Sequence, residues 1–236
     1  MITQLVVSHA LALSAAQIPA EAAKGYAEVL SMHVANGRVD YKGLENKSLA
    51  KLDAYVAAVA KAKLPAKRAA RIAFWVDAYN GLVLRAVIGA GRPRSVLDVK
   101  GFFDAKKHVV AGKSVTLNDL EKKVLNPYAK DPRTHMVLVC AAVGCPILES
   151  KPYAGSDIDK RFAAATRRYL AGRTGAVPGT GSVQLSKIFD WYKADFGGPD
   201  GVVAFVKKHL PAKKAEALGK APKVSFLEYN WTLNQQ

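Results

Sequence analysis

The stretch 134–146, Thr-His-Met-Val-Leu-Val-Cys-Ala-Ala-Val-Gly-Cys-Pro, constrains this chain most. Met136, Val137, Leu138 and Val139 form an unbroken apolar run with two β-branched members. Asp131-Pro132 precedes it and Gly144-Cys145-Pro146 follows, so it reads as a short strand buried on both faces. A fold built on such a strand must cover it from two sides. Both cysteines of the chain and one of its five histidines, His135, lie in or beside the run. Any chemistry is expected to start there.

Around this strand the periodicity predicts mostly helices. A first runs over 19–34, with Ala22, Tyr26, Val29, Leu30 and His33 near one face, and a second over 48–62 carries Leu49, Leu52, Val56 and Val59. The third, over 67–89, has the widest apolar face, made by Ile72, Trp75, Val76, Tyr79, Val83, Ala86 and Val87. Asn80 falls on that stripe and Asp77 lies one turn before it. A buried amide left unpaired costs roughly 1–3 kcal/mol, so Asn80 must bond to backbone or to a polar neighbour. It is read either as a tie from helix to loop or as an orienter of a catalytic group.

Residues 38–44 read as an extended or turn segment, and 107–116 as a small hairpin about Gly112. A helix capped by Thr116 or Asn118 follows, with Leu117, Leu120, Val124 and Leu125 inward and Glu121 on the edge of that face. Beyond the central strand, 156–170 is a basic amphipathic helix, 172–181 a glycine-rich loop and 182–185 a short strand. Helices over 186–192 and 200–210 come next, the latter stopped by Pro211, and 224–233 alternates as a final strand. The sum is α+β: a helical majority packed around a small, mostly antiparallel sheet, in a single domain spanning 17–236.

Segment 1–16 resembles the apolar and cleavage regions of a secretory signal, although it lacks a basic start and His9 interrupts it. It is read as a signal peptide or as a loose N-terminal segment, which places the protein in the periplasm or outside the cell in the first case and in the cytoplasm in the second. No other stretch approaches the roughly 18 consecutive apolar residues of a membrane span, so no transmembrane segment is expected. Thirty-five Lys and Arg against nineteen Asp and Glu leave a formal charge of +16. Such an excess suits an acidic ligand or polymer. The basic residues are scattered in pairs such as Lys106-Lys107 and Lys213-Lys214 without a nucleic-acid-binding signature, so nucleic acid is not the expected partner.

Several motifs, in order, carry a family resemblance. They are Val39-Asp40-Tyr41, the run from Ala73 through Phe74-Trp75-Val76-Asp77-Ala78-Tyr79-Asn80-Gly81 to Leu82, Phe102-Phe103, and Leu117-Asn118-Asp119-Leu120-Glu121. Asp131-Pro132-Arg133-Thr134-His135 running into Val139-Cys140-Ala141-Ala142-Val143-Gly144-Cys145-Pro146 follows, and then the run from Phe226 to Asn234. Over about 25–234 the chain resembles the domain-of-unknown-function 547 family (DUF547). The resemblance implies a bacterial, often exported domain without an established reaction, for which thiol-dependent hydrolase chemistry is a reasonable suspicion. The chain departs from the pattern at Asp77, where relatives often have Asn, and at Lys122, where they often have His. If that histidine is the family's general base, this chain lacks it.

A cysteine nucleophile needs a base that holds it as thiolate and a third group that orients the base. His135 and Cys140 are five positions apart, so on a regular strand they point to opposite faces and meet only across a bend. Cys145, beyond the strand end, is expected to be the more exposed. Pro146 after it cannot donate an oxyanion amide, whereas Cys140 is followed by Ala141 and Ala142. Cys140 is therefore the favoured nucleophile and Cys145 the second candidate. His135, Glu121, Asn80 and His108 are the candidate partners, and Asp77 and His108 the candidate substrate contacts. Two alternatives stay open: inert buried thiols, and a disulfide if the Cα atoms approach within about 7 Å. No metal-ligand spacing appears, and neither a metal nor another cofactor is expected. The functional expectation is a thiol-dependent hydrolase or acyltransferase acting on a small-molecule or peptide-like amide or ester. The alternative is a non-catalytic envelope module that holds an acidic ligand or polymer on its basic surface.

Overall fold

The computed structural model describes residues 18–172 and 175–236, and the signal-like segment 1–16 lies outside them. Helix α1 (Ala20–His33) leads through the two-residue strands β1 (Val34–Ala35) and β2 (Arg38–Val39) into α2 (Tyr41–Lys47) and α3 (Leu49–Lys61). The extended or turn reading of 38–44 holds at Arg38–Val39, which form β2, and is corrected from Tyr41 onward. Asp40 accepts the Gly43 amide at 2.8 Å and so caps a short helix that starts at Tyr41.

Helix α4 (Arg68–Gly89) is the axis of the molecule, buried on every side from Ile72 to Leu84. Its length and composition alone would suit a membrane, yet 89% of its apolar window is buried inside the protein, as in a core helix. Gly81 shows how closely its neighbours approach. Tyr26 of α1 and Tyr55 of α3 stack with ring centroids 3.9 Å apart, and a Cβ at Gly81 would lie 2.8 Å from the Tyr55 ring.

The hairpin of β3 (His108–Val110) and β4 (Lys113–Val115) forms as expected and leads into α5 (Leu117–Asp119). A wider π-helical turn, Leu120–Leu125, and α6 (Asn126–Ala129) continue the helical run. The expected central strand is absent. A 3₁₀ helix, Pro132–Met136, takes its first residues, and 137–140 continues without a strand ladder. The side chain of Asn80 replaces the ladder: its Nδ2 donates to the Val137 carbonyl and its Oδ1 accepts from the Val139 amide, both at 3.0 Å. An extended, apolar, buried segment needs backbone partners, and a side chain on a neighbouring helix supplies them as well as a strand does.

Helix α7 (Ile158–Ala171) follows, then β5 (Ala176–Gly179) and β6 (Ser182–Leu185), α8 (Lys187–Trp191), a 3₁₀ turn Lys193–Phe196, α9 (Gly198–His209), α10 (Ala212–Ala217) and β7 (Lys223–Phe226). Strand β5 corrects the loop expected over 172–181, and α10 starts directly after Pro211. Strand β6 pairs antiparallel with β5 and parallel with β7, and the hairpins β1–β2 and β3–β4 are separate two-stranded sheets. The fold is therefore α+β with a helical majority, its sheet divided into three small ones. The expected final strand over 224–233 is regular only as far as Phe226. Thereafter isolated bridges pair Thr232 with Ser95, Leu233 with Ala142 and Gln235 with Val39. Two hydrophobic clusters result, one around α4 and one around α7, α9 and the three-stranded sheet, and Tyr229 packs against both.

Candidate functional site

A cavity of about 290 Å³ opens where the π-helical turn, the 3₁₀ helix Pro132–Met136, the 140–146 loop, α8 and the C-terminal segment meet. Each contributes for a local reason. Thr116 and Asp119 form a reciprocal capping box that starts α5. The π turn that follows carries Glu121, which is 7% exposed and lines the cavity. Asp131 caps the 3₁₀ helix by accepting the Arg133 amide at 3.0 Å, and that helix delivers His135 to the same cavity.

The His135 ring lies between two carboxylates. Its Nε2 bonds to Asp195 Oδ2 at 2.8 Å and its Nδ1 is 3.7 Å from Glu121 Oε1. Tyr192 covers one face of the ring at 4.0 Å between centroids. Burial holds the imidazole below its ordinary pKa, with the Lys122 charge adding to this, while Asp195 and Glu121 pull the other way. With the Nε2 proton donated to Asp195, Nδ1 is a neutral base. Burial, and next the Glu121 carboxylate, raise the Tyr79 and Tyr192 hydroxyls well above the usual phenol range.

Cys140 and Cys145 are joined by a disulfide, with Cα atoms 6.2 Å apart. Of the readings left open, this is the one the structure holds, and a free thiolate at either position is not present in this state. The expected order of exposure is reversed as well: Cys145 is 6% exposed and Cys140 is half-buried. The Cys140 amide donates to Cys145 Sγ at 3.0 Å. The Tyr229 hydroxyl reaches both sulfurs, at 3.3 Å from Cys140 Sγ and 3.2 Å from Cys145 Sγ. His135 and Cys140 face one cavity despite their odd spacing because His135 sits in a 3₁₀ helix and no regular strand joins the two. The loop turns at Ala141, whose φ of 64° is left-handed. It is clamped by Val143 and Gly144 amides donating to Thr232 and Asn230 carbonyls, and by Tyr169 donating to Gly144 O at 3.0 Å.

Of the residues singled out in the sequence, Cys140, Cys145, His135 and Glu121 converge on this cavity. Asn80 stands behind it and positions 137–139. Asp77 does not reach it; the carboxyl accepts the Tyr153 amide at 2.9 Å on another side of α4. Nor does His108, which sits in β3 with Nε2 buried and unpartnered. Sequence reasoning missed Asp195, Tyr192, Tyr229 and the Trp191 and Trp231 indoles, which stack at 5.7 Å. The one available signal was the aromatic spacing Tyr229, Trp231 near the C-terminus. Lys122 lines the cavity with its ammonium 5.8 Å from the Tyr192 ring centre. Among the described residues no group of three or more His, Cys, Asp or Glu side chains is arranged to hold a metal ion.

Fold and site together define a helix-rich α+β protein with an aromatic-walled pocket built around a cystine and a carboxylate-flanked imidazole. The family model described as Protein of unknown function, DUF547, matches the stretch 64–170. The stretch runs from the approach to α4 through α7 and holds Asn80, Glu121, His135 and both cysteines, while Asp195, Trp191 and Tyr229 lie beyond it. Comparison with curated proteins and with solved structures gives no match.

Proposed function

We propose that the cavity binds a small-molecule or peptide-like acyl compound and, once its disulfide is opened, works as a thiol-dependent hydrolase or acyltransferase centre. The observation that carries this reading is the convergence of both sulfurs, His135 and Glu121 on one aromatic-walled cavity. A second cleft, of about 670 Å³, shares His135, Lys122, Trp191 and Tyr192 with the first, which leaves room for an extended substrate lying across the imidazole. Opening requires a dithiol reductant, which becomes the disulfide as the cystine becomes two thiols. His135 then takes the Cys140 proton, and the thiolate forms a bond to the substrate carbonyl carbon. The amine or alkoxide leaves with the proton from His135. Water or a second nucleophile, giving its proton to His135, then attacks the thioester carbonyl, and the C–S bond breaks to release the acyl product and the Cys140 thiolate, which takes the proton back. Tyr229 is placed to donate to the sulfur, and Asp195 to hold the ring. A cystine resting state accords with an exported location.

The test is alkylation. The protein is treated with dithiothreitol, desalted and exposed to iodoacetamide at pH 7, and labelled peptides are quantified by mass. Cys140 is expected to react first and faster than glutathione, with His135→Ala slowing it about tenfold or more. A Cys140 rate at or below that of glutathione, and indifferent to His135→Ala, would overturn the proposal.

A further inference from the structure

A second cavity, of about 400 Å³, lies on another side of α4, walled by α1, α3 and the 152–155 segment that precedes α7. Its lining is apolar and aromatic, with Tyr26, Tyr55, Phe74 and Tyr153 contributing rings. The lining holds a single carboxyl group, Asp77, 7% exposed. In a chain with 35 Lys and Arg, a buried acid would be expected to find a cation. Among the described residues Asp77 has no salt bridge. The nearest candidate, Arg161, is committed elsewhere. Its guanidinium stacks on the Tyr153 ring at 4.0 Å and donates to the Pro152 and Lys151 carbonyls. The Tyr26 hydroxyl, also part of this wall, is buried without a hydrogen-bond partner.

These are the components of a cation site: one desolvated carboxyl without a counter-ion, one unmet phenol oxygen, and an aromatic wall. We propose that this cavity binds an organic ammonium ion with a small apolar body, its N–H groups donating to Asp77 and Tyr26 Oη and its body lying against Tyr55, Phe74 and Tyr153. An anion would find no positive charge in this lining and would disfavour ionisation of the carboxyl. A neutral ligand of the same shape would gain no charge pairing with the carboxyl. The electrostatics agree. Burial pushes the Asp77 carboxyl well above the ordinary range, against the opposing pull of the Tyr153 amide and Arg161, and a bound ammonium is the partner that would hold it ionised. The site is separate from the cystine pocket and does not depend on what that pocket does.

The probes are benzylamine, benzyl alcohol and benzoate, equal in shape and different in charge, titrated into the full chain by calorimetry at pH 7.5. Benzylamine is expected to bind at least about tenfold more tightly than either of the others, a preference of the size cation–π and carboxylate contacts supply when desolvated. Asp77→Asn is expected to bring benzylamine down to the level of benzyl alcohol, and Tyr26→Phe to weaken it several-fold. The three-probe comparison needs only the wild-type chain, so it stands even if Asp77→Asn fails to fold, with Tyr26→Phe then locating the site. Equal binding of the three probes, no benzylamine heat up to concentrations on the order of 10 mM, or undiminished benzylamine binding by a folded Asp77→Asn or Tyr26→Phe would each overturn the proposal.

Discussion

At the scale of single residues, the chemistry of the cystine pocket turns on the charge of His135. The ring is buried, and water lost from the imidazolium outweighs the attraction of Asp195 and Glu121, so its pKa lies below 6.5 in the folded chain. The folded protein therefore binds fewer protons at this position than the unfolded one. The stability that follows is complete above the unfolded value near 6.5 and declines as pH falls through it. The same ring is a neutral base at pH 7, as proton removal from a thiol requires. Imidazole resonances followed by NMR from pH 4 to 8 are expected to give a His135 midpoint under 6.5. Asp195→Asn should move it lower still, by removing the group that most favours the charged ring. A midpoint above 6.5 would show that the carboxylates dominate, and an upward move in Asp195→Asn would show that Asp195 does not favour the charged ring.

Between elements, the contact that matters most is a side chain bridging α4 and the segment 137–139. Asn80 satisfies one buried carbonyl and one buried amide at once. Asn80→Ala leaves both without partners, and its expected cost is roughly 2–4 kcal/mol in urea unfolding. Asn80→Asp keeps an acceptor for Val139 N but turns a carboxylate oxygen toward Val137 O, so it should be no better than alanine. A loss under about 0.5 kcal/mol would mean that water or a backbone shift replaces the amide. This contact also marks the boundary of what the sequence makes legible. Helices α1, α3 and α4 follow from apolar spacing because each buries a face whose period is intrinsic to the helix. The run Met136 to Val139 has strand composition, but its Val137 carbonyl and Val139 amide are satisfied by Asn80, a residue 57 positions away from Val137, which no local pattern encodes. The half of the site near the cysteines was legible because four of its groups cluster between 121 and 145. Asp195 and Tyr229 were not, since their roles exist only after the second hydrophobic cluster docks on the first.

For the molecule as a whole, the C-terminal segment does that docking. After β7 the chain crosses both clusters. It brings Tyr229 and Trp231 over the disulfide and ends against the β1–β2 hairpin. Asn234 is the knot. Its amide donates to Ala141 O and its carbonyl accepts from Val39 N, both at 2.9 Å. Its side chain accepts from the buried Tyr41 hydroxyl at 2.8 Å and donates to Gly37 O. One residue thus ties the N-terminal hairpin and α2 to the cystine loop. Asn234→Ala strands the Tyr41 hydroxyl in the core, which should cost about 1–3 kcal/mol. A capping role alone would stop at that loss. A tie to the loop predicts more. Because Val143 and Gly144 also hang on Thr232 and Asn230 of the same segment, loosening it should free the 140–146 loop and uncover the sulfurs. Reduction of the disulfide by dithiothreitol, followed under native conditions, is expected to run several-fold faster in Asn234→Ala than in the parent chain. If stability falls while the reduction rate stays the same, the segment steadies the fold without governing the pocket, and access to the cystine is set by Tyr229 and its indole neighbours alone.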